Sequence, residues 1–281
     1  MTDQYAVFGN PISHSKSPHI HRQFAEQTGQ DMQYSKHLVG ENAFVSSAQE
    51  FFAQGGKGLN ITVPFKTDAF KFAQQLTPRA QRAGAVNTLS LESDGTILGD
   101  NTDGIGMVHD IHNLGWELRN KRILILGAGG AVRGILQPLL AEQPQQVVIV
   151  NRTCAKAEEL EKQFHDLGNI QARSYEQLNT ELNTEQFDVV INGTSASLNG
   201  ELPPLPKNIL ANNACCYDMM YGAEPTVFMS WAKNNNALHT ADGLGMLVGQ
   251  AAEAFYLWRH VRPEVVPVIM TIRRQLNEST K

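Results

Sequence analysis

Cysteine is scarce in this 281-residue chain: Cys154, Cys215 and Cys216 are an odd number, two of them adjacent in an apolar stretch. Such a set is no disulfide framework and points to a reducing compartment, read here as the cytoplasm. Basic charge is also short. Lys and Arg total 23 against 28 Asp and Glu, a formal net charge of -5, and no long basic run offers a footprint for a polyanion. Nucleic acid is therefore not expected as a partner. No apolar run is long enough to span a bilayer, and Asp3, Asn10, His14 and Lys16 interrupt the stretch where a signal peptide needs its apolar core. A membrane role is set aside on the same ground. His14, His19 and His21 lack Cys or carboxylate partners at a ligand spacing, so no metal is expected. Internal repeats and low-complexity segments are absent. What remains is 42% hydrophobic and 18% charged, an ordinary globular composition, and the length suggests two domains. Monomer and homodimer are both compatible with it.

Short apolar runs alternate with amphipathic ones. Residues 5–9 read as a strand ending in glycine, followed after Pro18 by a helix carrying Ile20, Phe24 and Ala25. A second strand is expected over 33–39, a helix over 42–53 and a third strand over 58–63, an alternation that builds a parallel sheet. Residues 87–91 and 96–99 flank Ser93-Asp94-Gly95, a hairpin expected at the sheet's edge. After Asp103 a helix presents Met107, Val108, Ile111 and Leu114 on one face, and a new pattern begins at Arg122. Residues 123–126, 147–150, 187–192 and 215–218 read as buried parallel strands separated by helices, the pattern of a doubly wound domain. Gly243 opens a helix with Leu244, Leu247, Val248, Ala251, Phe255 and Trp258 on one face, expected to return to the first domain. The fold class is thus α/β: an N-terminal α/β domain over 1–102 and 241–281, and a doubly wound Rossmann-type domain over 103–240.

In that second domain, Ile123 to Leu126 run into Gly127-Ala128-Gly129-Gly130, and the following helix faces Val132, Ile135, Leu136, Leu139 and Leu140 one way. Glycines permit the tight turn and let helix N-terminal N–H groups approach a pyrophosphate. Val132 stands where the general dinucleotide fingerprint has its third glycine. At the end of the next strand an NAD site would place a carboxylate on the ribose hydroxyls. Here Asn151-Arg152-Thr153 stands instead, with Lys156 one turn on. A guanidinium pairs with a ribose 2′-phosphate, so NADP is the expected cofactor.

The first domain concentrates small polar groups in three places. Three serines lie in the loop Ser13-His14-Ser15-Lys16-Ser17-Pro18, where Ser17 before Pro18 also reads as a helix cap. In Asn60-Ile61-Thr62-Val63-Pro64-Phe65-Lys66, Asn60 and Thr62 share a strand face and Lys66 follows the strand's carboxyl end. Asn87-Thr88 begins one strand, and Asn101-Thr102-Asp103-Gly104 closes another and opens a helix, which Asp103 could cap. Amides, hydroxyls, one cation and one carboxylate suit a small polyhydroxylated acid.

Together with Ala85-Val86-Asn87-Thr88 and Ala241-Asp242-Gly243-Leu244-Gly245-Met246, these motifs resemble those of the shikimate dehydrogenases of the AroE type, and the resemblance runs from Tyr5 to Ile269. It implies NADPH-dependent reduction of 3-dehydroshikimate to shikimate, in aromatic amino acid biosynthesis. It further implies shikimate contacts from Ser15, Ser17, Asn60, Thr62, Lys66, Asn87, Asp103, Tyr221 and Gln250. The cofactor set would be Gly127, Ala128, Gly129, Gly130, Ala131, Asn151, Arg152, Thr153, Lys156 and Thr194, with Met219 and Gly243 bordering the nicotinamide. Gly193 stands where the family commonly has Ala, and Ser197 where Gly is frequent, which puts that loop's flexibility in question. Lys66 is expected to polarise or protonate the reacting oxygen, with Asp103 orienting it. The competing readings are a quinate/shikimate dehydrogenase using NAD, which Arg152 opposes, and a noncatalytic sensor, which has no need of Lys66 and Asp103.

Overall fold

A computed structural model describes residues 2–180 and 185–278. It divides into two compact units: Met1–Gly106 with Val248–Val268, and Met107–Leu247 with Ile269–Lys281. No helix among the described residues is long and apolar enough to cross a membrane.

The first unit opens with β1 (Asp3–Gly9), α1 (Ser17–Thr28), β2 (Met32–Leu38), α2 (Phe44–Ala53) and β3 (Gly56–Ile61). After these come α3 (Lys66–Phe72), β4 (Gln75–Leu76), α4 (Pro78–Ala83), β5 (Thr88–Leu91), β6 (Ile97–Asp100) and the start of α5 (Asp103–Asn113). The sheet order is β2-β1-β3-β5-β6-β4. β1 pairs in parallel with both β2 and β3, whereas β5 is antiparallel to β3 and to β6. β1 lies inside the sheet and its last five residues are buried, while β2 is an exposed edge. Phe8, Phe44, Leu59, Phe65 and Leu89 fill the core beneath α2 and α3.

The second unit comprises β7 (Arg122–Leu126), α6 (Gly130–Ala141), β8 (Gln146–Val150), α7 (Cys154–Phe164), β9 (Ile170–Arg173) and α8 (Tyr175–Thr180). β10 (Phe187–Asn192), β11 (Leu210–Asp218), α9 (Val227–Asn234) and β12 (His239–Asp242) follow, then α10 (Leu244–Arg259) and α11 (Val266–Glu278), which run across the division between the units. All pairings are parallel in the order β12-β11-β10-β7-β8-β9, which is the dinucleotide-binding order with its switch point between β7 and β10. The unbroken apolar runs have a simple cause. Alternate residues of one strand enter opposite cores: Ile123, Ile125, Val147 and Ile149 face one, while Leu124, Leu126, Val148 and Val150 face the other.

Several local expectations need correction. The β5–β6 hairpin is not outermost, because Gln75 and Leu76 pair in parallel with β6 and cover it. β3 ends at Ile61, so Thr62 lies just past the strand although its N–H still reaches the Phe8 carbonyl at 3.0 Å. Ser17 is the first residue of α1 rather than its cap; the cap position is Lys16, whose side chain makes no capping bond among the described residues. Leu114 falls beyond α5 and is 43% exposed. Residues 241–281 do not all group with the first unit: α11 from Ile269 belongs to the second, where Arg273 holds both Asp242 oxygens at 2.5 and 2.6 Å and the Gly222 carbonyl at 2.7 Å.

Candidate active site

Parallel pairing of β1 with β3 puts the loops after Gly9 and Ile61 side by side, and Asn10 N–H bonds the Val63 carbonyl at 3.0 Å. Because β5 runs opposite to β3 and β6 opposite to β5, Asn87, which lies just before β5 rather than opening it, and Asp103 after β6 come to the same end of the sheet. This is the carboxyl end of the parallel strands, where ligands bind in open α/β sheets. Gly9 permits the close approach: a Cβ there would stand 2.4 Å from Thr62 Cγ2.

Lys66 Nζ donates to Asp103 Oδ2 at 2.5 Å, with side chains 31% and 13% exposed. The pair is therefore reachable from solvent. Asn87 Nδ2 donates to the other carboxylate oxygen at 2.7 Å and to Gln250 Oε1 at 3.4 Å. Gln250 reaches this position because α5 carries Gly106, where a Cβ would lie 2.4 Å from the Gln250 nitrogen. Lys66, Asn87, Asp103 and Gln250 thus form one cluster. Ser15 and Ser17 sit at the entry to α1, where Ser17 N–H bonds Ser15 Oγ at 3.3 Å. Asn60 is different. It is buried, its Oδ1 accepts from His21 Nε2 at 3.1 Å and from Tyr34 OH at 2.7 Å, and its Nδ2 donates to Thr88 Oγ1 at 3.1 Å and to the Asn87 carbonyl at 3.4 Å. Its amide capacity is already engaged within the protein.

In the second unit Gly127 has φ +103°, and a Cβ there would also crowd Thr194 Cγ2 at 3.1 Å. Gly129 precedes α6, which starts at Gly130, and a Cβ on either would meet nothing within 4 Å. The space beside these two glycines is open, and free first-turn N–H groups at a helix start are of the kind that suits an anion. Ala128 is buried in the core and Ala131 is exposed. Val132 packs into the core with Cγ2 2.4 Å from where a Gly193 Cβ would stand, so the bare glycine at 193 makes room for the bulk at 132. Thr194 bonds Asn192 Oδ1 through its N–H at 3.1 Å and its hydroxyl at 2.7 Å. Ser197 donates to Asp218 at 2.8 Å and accepts from Asn192 at 3.1 Å, which ties down the loop that its replacement of glycine had put in question. Asn151 Nδ2 bonds the Thr153 carbonyl at 2.9 Å before α7. Arg152 and Lys156 are exposed and form no ion pair among the described residues. Burial pushes the Tyr175 phenol up to about 12, and nearby Arg152 opposes that rise. Met219 and Gly243 are in close backbone contact, a Gly243 Cβ lying 2.2 Å from the Met219 carbonyl oxygen. Tyr221 follows β11 in this same unit and is half-buried.

Three family profiles match in succession. The shikimate dehydrogenase substrate binding domain covers residues 7–89, shikimate / quinate 5-dehydrogenase covers 109–199, and the shikimate 5′-dehydrogenase C-terminal domain covers 243–273. The shikimate dehydrogenase (NADP(+)) of Cellvibrio japonicus is 70% identical over 278 residues, 99% of each chain. This chain belongs to the shikimate dehydrogenase family. Among solved structures, the Ael1 enzyme of Pseudomonas putida superposes with a TM-score of 0.90 at 46% identity, covering 98% of both chains. The shikimate 5-dehydrogenase (AroE) of Thermus thermophilus, in complex with NADP(H) and shikimate, gives 0.85 at 29% identity, covering 98% of this chain and 100% of that one.

Family membership also frames what the sequence reading misses. His21 and Tyr34 carry no assigned part in it, yet both bond Asn60. Arg79 stands outside every motif, yet it grips buried Asp100 through both carboxylate oxygens at 2.7 and 2.5 Å and reaches Glu253 at 3.2 Å, bracing the end of β6 just before Asp103. No local pattern marks such partners, which stand 21 and 174 positions from Arg79.

Proposed function

We propose that this protein catalyses the reversible NADPH-dependent reduction of 3-dehydroshikimate to shikimate, a step of aromatic amino acid biosynthesis in the cytoplasm. The observation that carries the reading is the 2.5 Å pair of Lys66 and Asp103, partly open to solvent and flanked by a buried amide. Three free cysteines support the reducing compartment.

Substrate binding is assigned to the first compact unit and cofactor binding to the second, in place of the expected bounds 1–102 with 241–281 and 103–240. Ser15 and Ser17 bind the substrate carboxylate through their hydroxyls. Thr62, Asn87, Gln250 and Tyr221 hold ring hydroxyls, and Asn60 acts by sharing bonds that it already makes. The open glycine cradle at the start of α6 fits a pyrophosphate, and the exposed cations Arg152 and Lys156 fit a 2′-phosphate better than a ribose diol. Gly127, Ala128, Gly129, Gly130, Ala131, Asn151, Thr153, Thr194, Met219 and Gly243 complete that set. When bound, the nicotinamide supplies or accepts the hydride. The protein's own task is one proton. In reduction, Lys66 delivers it to the carbonyl oxygen while Asp103 holds the ammonium in place; in oxidation, Lys66 takes it from the hydroxyl.

The test is absorbance at the reduced-nicotinamide band after mixing protein, shikimate and NADP. A rise is expected, and it should be much weaker with NAD or with quinate. Tight binding of both ligands without any rise would leave a sensor and overturn the proposal. A faster rise with quinate and NAD would favour the other enzymatic reading.

A further inference from the structure

A chain of buried hydrogen bonds runs behind the Lys66–Asp103 pair. Asn87 Oδ1 accepts from Thr88 Oγ1 at 2.9 Å, Thr102 N at 2.9 Å and Thr102 Oγ1 at 3.1 Å. With its oxygen so occupied, the amide must turn Nδ2 toward Asp103 Oδ1. A flipped amide would set an oxygen lone pair against the carboxylate. Thr88 can donate to Asn87 because its own oxygen accepts from Asn60 Nδ2, and Asn60 is oriented in turn by two donors on its Oδ1. Those donors are the Tyr34 hydroxyl and the Nε2–H of His21. Burial lowers the His21 pKa to about 3, so the ring is neutral; with the proton on Nε2 it leaves Nδ1 as the bare buried nitrogen that finds no partner among the described residues.

We infer that Thr88 is a positioning residue for the reaction: its hydroxyl, together with the N–H and hydroxyl of Thr102, locks the Asn87 amide so that one Asp103 oxygen is held and the other is left for Lys66. Every bond from His21 through Asn60, Thr88 and Asn87 to Asp103 points the same way, donor to acceptor, and ends on the carboxylate. His21, Thr88 and Thr102 are fully buried and Asn60 and Asn87 nearly so, which shields the network from bulk solvent and makes each missing hydroxyl costly. The role of Thr88 rests on the dehydrogenase reading above, since it acts through Asp103.

The test compares Thr88→Val, which keeps shape but removes the hydroxyl, with Thr88→Ser, which restores it. Thr88→Val is expected to lower kcat about ten- to a hundredfold, the scale seen for groups that orient contacting residues, while KM for NADP changes less than about twofold. Thr88→Ser should recover to within about threefold of the parent. In the unliganded protein, the side-chain amide resonances of Asn87 in a ¹⁵N–¹H spectrum should shift in Thr88→Val and return in Thr88→Ser. A kcat for Thr88→Val within about twofold of the parent, or a Thr88→Ser as slow as Thr88→Val, would overturn the inference. If Thr88→Val does not fold, Thr88→Ala removes the same hydroxyl, and an unchanged kcat there overturns it equally. Should the parent itself fail to oxidise shikimate, the dehydrogenase reading falls, and an unmoved Asn87 amide in Thr88→Val then refutes the positioning claim by itself.

Discussion

Lys66→Ala and Asp103→Asn separate catalysis from stability at one ion pair. The pair is 31% and 13% exposed, so solvent screens it in part and its loss should cost stability on the order of 1 kcal/mol. At roughly 2–4 °C per kcal/mol for a chain of this size class, the melting temperature should fall by about 2–4 °C. The chemical step has more to lose. A positioned acid contributes about 10²- to 10⁴-fold, or roughly 2.7–5.4 kcal/mol of barrier, several times the stability term. Because Lys66 and Asp103 share one bond at 2.5 Å, they should act as a unit, and the double variant should be about as slow as the worse single one. The assay is initial rate at saturating shikimate and NADP, with melting followed in parallel. Near-normal turnover in Lys66→Ala would refute the proton role, and strictly additive losses would refute the coupling.

Arg152→Ala should weaken NADP about ten- to a hundredfold, from the roughly 1.5–3 kcal/mol of hydrogen bonds to a charged group, and leave NAD almost untouched; equal losses in both titrations would contradict the 2′-phosphate assignment. Ser15→Ala should raise KM for shikimate at constant kcat, and a fall in kcat alone would show that Ser15 does not bind the carboxylate. Burial holds the His21 pKa at about 3 against an ordinary 6.5. The unfolded chain takes up that proton as pH falls through 6.5, whereas the folded chain does so only near 3. This contribution to stability is therefore complete above 6.5 and is lost across the window below it, by up to about 1.4 kcal/mol per pH unit. Urea unfolding at stepped pH should show that slope in the parent and a flatter one in His21→Gln, which retains a donor for Asn60; identical slopes would sink the account.

Much of this protein is written locally. Periodicity in single segments marks the strands of the second unit, since residues such as Ile123 and Leu124 must satisfy two cores from adjacent positions. Turn chemistry at Gly127, and the presence of Arg152 where an acid would select NAD, are likewise properties of a few neighbouring residues. The polar motifs could be quoted and their family resemblance seen without coordinates. Partnership could not. That Thr88 orients Asn87, that His21 and Tyr34 orient Asn60, that Arg79 braces Asp100, and that Gly193 yields space to Val132 are all consequences of strand register and helix packing. A hydrogen bond is decided within tenths of an ångström between groups far apart along the chain, and only the folded arrangement of β1, β3, β5 and β6 brings them within that range.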